Sequence, residues 1–164
     1  MRTLLLSCAL FTLSLGTTPA FSVGGGGSFS SDSSSSFSSR DPVLDRVAKA
    51  TAKQDWAGAQ ALLVSALARD PRNAEYHNLY AYSVRKSANP DMSLVFKHYN
   101  EALSLDPKHR GAHEYIGEAY LMVNNVAKAR EHLAQLDKLC TFSCTELTEL
   151  KNAIAAYEKK TASR

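Results

Sequence analysis

The chain has 164 residues, room for one domain with extensions, and 45% of them are hydrophobic against 21% charged, the balance of a soluble globular protein. Lys and Arg number 19 against 16 Asp and Glu, for a net charge of +3. The basic residues are scattered rather than run together, which argues against a nucleic-acid partner.

Residues 1–20 read as a secretory signal peptide. Arg2 supplies the positive start, Leu4 to Leu15 is mostly apolar, Gly16 breaks the run, and Thr18-Pro19-Ala20 offers small residues for cleavage. The run is shorter than the about 20 apolar residues a spanning helix needs. No membrane span is therefore expected after cleavage, and the predicted address is secreted or periplasmic. Removing the segment takes Cys8 and Arg2 with it, lowering the charge from +3 to +2 and leaving two cysteines in a compartment that permits disulfides.

Residues 21–40, FSVGGGGSFSSDSSSSFSSR, are dominated by Gly and Ser, with little to bury against the entropy of ordering them. They read as a disordered, flexible linker. The GGGG stretch is no phosphate loop, because no Gly-Lys-Ser/Thr follows it.

From residue 41 onward the apolar spacing predicts helices over 41–53, 55–69, 74–87, 90–105, 109–123, 126–140 and 144–160. Asp41-Pro42 and Asn89-Pro90 each place a capping side chain before a Pro at the first helical position. Asp70-Pro71 and Asp106-Pro107 end helices, since Pro cannot continue one from upstream. The segment also resembles itself. Leu63, Ala66 and Pro71 return 36 residues later as Tyr99, Ala102 and Pro107, and His77, Ala81 and Val84 return as His113, Gly117 and Tyr120. Ala59 maps onto Val95 and then, 34 further on, onto Ala129. Such a period marks a stack of two-helix units, each too small to bury its apolar face alone.

The stretches QDWAGAQALLVSALARDPRNA, HYNEALSLDPKHRGAHEYIGEAYLMVNN and VAKAREHLAQLDKL resemble tetratricopeptide repeats. The resemblance covers about residues 41–160 and implies an all-α solenoid of three repeats, 41–73, 74–108 and 109–143, with a capping helix at 144–160. Gly117, Ala59, Ala66 and Ala102 stand at the family's small positions; Tyr120, Leu63 and Tyr99 stand at its large ones. The first unit's internal turn reads as about one residue short, and SANPD makes the second about two longer. The resemblance further implies the look of a small exported bacterial protein of this kind.

LCTFSC, Leu139 to Cys144, falls where the third unit would carry its Asp-Pro. Ser143 and Glu146 have capping-box spacing, and Leu147, Leu150, Ile154 and Tyr157 form an apolar stripe. In an unbroken helix residues four apart have Cβ atoms about 5–6 Å apart, too far for a disulfide, so the helix must break between Cys140 and Cys144. A structural disulfide is the favoured reading. An exchangeable redox pair and a metal-ligand pair remain the alternatives, although zinc normally needs four ligands.

In this family the first helices line the concave side, where peptides bind. The register then puts Asp45, Lys49, Asn78, Tyr82, Arg85, Lys86, Glu114, Glu118 and Met122 in the groove. Tyr82, Arg85 and Asn78 are the expected contacts to an extended peptide or helix. The mixed signs argue against one strongly charged ligand. The carboxylate clamp of some relatives is not expected, since Asp45 stands where its first Lys would be. His109 and His113 could share a helix face but lack the Glu of a metalloprotease motif; His98 and His132 are expected on the outer surface. No catalytic constellation or cofactor motif is present. The expected function is a non-enzymatic scaffold for a protein or peptide partner, with no cofactor. The alternative is a thiol-redox or metal-handling accessory using Cys140 and Cys144.

Overall fold

A computed structural model describes residues 41–163; the signal and linker segments, 1–20 and 21–40, lie outside the described residues. Among the described residues there are seven helices and no strand: α1 (Pro42–Ala52), α2 (Trp56–Leu67), α3 (Ala74–Arg85), α4 (Met92–Leu105), α5 (Arg110–Met122), α6 (Val126–Leu139) and α7 (Thr145–Ala162). Among the described residues no helix is long and apolar enough to cross a membrane.

Short polar side chains start these helices. Asp41, Asp55, Asn73, Asp91 and Asn125 each accept a hydrogen bond from a backbone N–H of the first turn, filling a donor the helix leaves open. Two expected starts move. Pro90 belongs to the turn, and Asp91 rather than Asn89 caps α4, because its carboxylate reaches Leu94 N at 3.1 Å. At α7 the cap residue is Cys144, not Ser143, and no side chain caps the end. The capping box suggested by Ser143 and Glu146 therefore does not form.

The repeat register is carried by hydrogen bonds as well as by packing. Asp70 N donates to Ala66 O at 2.9 Å, Asp106 N to Ala102 O at 2.8 Å, and Cys140 N to Leu136 O at 2.9 Å. Cys140 thus takes the backbone role of the Asp in the missing Asp-Pro. The turns inside the first and third units are equal in length: Lys53-Gln54-Asp55 and Val123-Asn124-Asn125 separate their helices. Each turn holds its middle residue, Gln54 or Asn124, at positive φ, 57° and 59°. Contrary to the expectation from sequence, the first turn is not short: one left-handed residue reverses the chain in both places.

Three apolar clusters follow one another along the stack. Val47, Ala59, Leu63, Ala66 and Tyr76 fill the first. Ala81, Val84, Val95, Tyr99, Ile116 and Ala119 fill the second, and Leu121, Ala129, Leu136, Leu150 and Ile154 the third. The small-residue positions have a clear purpose at the closing helix. A Cβ on Gly117 would lie 2.6 Å from Leu150 Cδ2, so only glycine lets α7 seat its buried leucine there. Helices α3 and α5, and α5 and α7, touch each other directly, whereas α2, α4 and α6 pack mainly against these helices and α1. Helices α3, α5 and α7 thus form one continuous face, the one the repeat resemblance puts on the inside of the stack. The architecture is a tetratricopeptide-like helical solenoid closed by a seventh helix.

Candidate functional site

The inner face is built around Arg85 at the end of α3. Its guanidinium pairs with Glu118 of α5 at 2.7 Å, and its Nε donates to the hydroxyl of buried Tyr99 at 3.3 Å. It also lies 5.5 Å from the ring centroid of Tyr82 and 5.7 Å from that of Tyr115. A charge this enclosed needs paired and stacked neighbours to offset its lost hydration. Tyr82 meets Tyr115 at 4.8 Å between centroids, and Trp56 meets Tyr82 edge-on at 5.9 Å. The three rings are half-buried and run from the start of α2 across α3 to α5. Beside Trp56 and Tyr82 a surface hollow of about 490 Å³ is lined also by Gln54 and Lys86.

The other register-derived residues divide by environment. Lys49, Lys86 and Met122 are exposed, and Asp45 and Glu118 are half-buried. Asn78 is only 2% exposed; its Nδ2 donates to Glu75 at 3.4 Å, while its Oδ1 has no partner among the described residues. Glu114 is 8% exposed and has no hydrogen bond or ion pair among the described residues. Burial and the facing carboxylates Glu118, Glu146 and Glu149 push its pKa up to about 7. Neither Tyr115 nor Trp56 belongs to the set the register predicts. Both are aromatics on or beside first helices, and their half-burial is visible only after folding.

The histidines take places the sequence did not predict for all of them. His77 Nε2–H donates to Pro71 O at 2.9 Å, leaving Nδ1 to accept from His98 Nδ1–H at 2.8 Å. The next unit repeats the motif, with His113 to Pro107 O at 3.1 Å and to His132 at 2.9 Å. His98 and His132 are therefore half-buried partners of first-helix histidines rather than outer-surface residues. Burial first, then the neighbouring histidine, lowers each of them to about 4. His109 does not join His113. Its Nδ1 caps α5 by accepting from Ala112 N, and its Nε2 bonds Glu75 at 2.8 Å, which raises its pKa. Among the described residues no three His, Cys, Asp or Glu side chains gather as a metal-binding group.

Cys140 and Cys144 bracket the turn between α6 and α7, with Cα atoms 5.9 Å and sulfurs 2.04 Å apart. The helix breaks between them, at Thr141 to Ser143. Phe142 at the tip of that turn is 87% exposed.

No protein-family model matches this chain, and no curated protein matches it. Among solved structures, the TPR2B domain of yeast Sti1, solved as a complex with pHsp70, superposes with a TM-score of 0.64 at 18% identity. The match covers 72% of this chain and 94% of that one, so the likeness spans essentially the whole of the yeast domain. At this identity it shows a shared fold, and the fold is tetratricopeptide-like.

Proposed function

We propose that this protein is a non-enzymatic scaffold whose concave face, formed by α1, α3 and α5 with α7, holds an extended segment of a protein partner. The observation that carries the reading is the aromatic row Trp56, Tyr82 and Tyr115, the two tyrosines packed around Arg85 and Trp56 edge-on to Tyr82. Half-buried rings held in place by a paired guanidinium offer contact area whose ordering cost is already met, the property of interface anchors. That the similar yeast domain was solved as a complex with pHsp70 supports the same use of the fold. A carboxylate clamp is not part of the proposal, since Asp45 leaves the expected lysine position acidic.

Export through residues 1–20, a tether at 21–40 and a Cys140–Cys144 disulfide belong to the same proposal. The disulfide reading is supported by the broken helix between the cysteines and by an oxidising destination. Replacing Tyr82 and Tyr115 together by Ala tests the groove. Crosslinking in the native compartment should then lose the captured partner while thermal stability falls by only a few degrees. A partner retained by that double variant would refute the groove reading.

A further inference from the structure

Resting on that reading, we propose that the third-unit half of the groove receives a cationic side chain, lysine or arginine, of the bound segment at Glu114. The arginines whose acidic partners flank Glu114 are already committed, while the exposed Lys49 and Lys86 belong to the first and second units. Arg85 is already paired with Glu118 at 2.7 Å, and Arg110 with Glu146 at 3.6 Å, both from within the fold. Glu114 lies among Glu118 of its own helix and Glu146 and Glu149 of α7, with Arg85 of α3 as the opposing cation. It is 8% exposed and has no partner among the described residues.

A second observation points the same way. Asn78 stands at the equivalent register position of the preceding unit, 36 residues earlier. Its Nδ2 is committed to Glu75, an acceptor, which fixes the amide orientation and leaves the buried Oδ1 unpartnered among the described residues. Both register positions thus carry an acceptor without a donor among the described residues; Asn78 Oδ1 is closed to solvent, so Glu114 is the one that can take a partner's donor. Buried polar groups are nearly always satisfied, and an ammonium or guanidinium brings only donors, together with the charge Glu114 lacks. With Glu114 titrating near 7, binding a cation there releases a proton, so affinity rises with pH between about 6 and 8.

A displayed library of random peptides, selected on the full chain, reads this directly. Lysine or arginine should be enriched at one position of the selected peptides. The best binder should tighten as pH rises from about 6 to 8. Glu114→Gln should weaken it about tenfold and flatten the pH slope, without lowering the melting temperature. Binders that need Tyr82 yet show no cation enrichment, or that are indifferent to Glu114→Gln, would overturn this inference and leave the groove intact. A failure to select any binder would overturn both.

Discussion

Two neighbouring register positions, 77 with 113 and 78 with 114, bury polar side chains in opposite ways. His77 and His113 each satisfy both ring nitrogens, against a prolyl carbonyl on one side and a second histidine on the other. Asn78 and Glu114, one residue further along the same helices, leave an acceptor or a carboxyl unpaired among the described residues. The first pattern repeats identically in two units; the second keeps its position but changes its residue. Repetition with full satisfaction is what a structural joint looks like, while unsatisfied variation on the inner face leaves groups for a partner to complete.

Breaking a joint should give the largest effect. His113→Ala leaves Pro107 O and His132 without their partner and opens a cavity beside His132. A loss of about 2–4 kcal/mol is expected, or roughly 10 °C in melting temperature. A loss below about 0.5 kcal/mol would make the histidine pair incidental.

The joints should also sense acid. His98 and His132 titrate near 4 in the fold, against about 6.5 when unfolded. Between those values the unfolded chain binds more protons, so their contribution is complete above pH 6.5 and is lost as pH falls toward 4. Melting temperature should drop by several degrees from pH 7 to pH 5, and the double variant His98→Leu with His132→Leu should show a shallower drop. An unchanged slope in that variant would assign the acid sensitivity elsewhere.

Replacing Cys140 and Cys144 by Ser should cost about 2 kcal/mol on the chain-entropy model for so short a loop. Partner binding should survive, as expected of an end-stop; a folded variant that has lost its activity would favour thiol chemistry instead. The smallest effect is a gain. Glu114 is raised to about 7 from 4.5, so it disfavours the fold increasingly as pH rises through that window. Glu114→Gln should raise the melting temperature by a few degrees at pH 8 and by nothing measurable at pH 4.5. The groove residue would then be one whose native form costs stability, as binding groups often do.

The helices were legible in the sequence to within about two residues, because apolar spacing, Asp and Asn caps and Asp-Pro stops all act locally. Errors came where two local solutions competed. Asp91 outbid Asn89 as a cap, and Cys144 displaced Ser143 where the chain breaks its helix. The candidate face was legible only as a register. Which of its charges are already paired depends on contacts such as Arg85 with Glu118, and that between His98 and His77 depends on helices 21 residues apart in sequence. No periodicity encodes those. The positions of Asn78 and Glu114 could be read from the repeat, but their burial could not.

The most direct test places a photo-crosslinking amino acid at position 82, on the inner aromatic row, and separately at position 64, where Val64 of α2 is 53% exposed. Irradiation in the native compartment should capture the same partner from position 82 and nothing from position 64. Capture from position 64 alone would place the binding surface on the second helices and contradict the account.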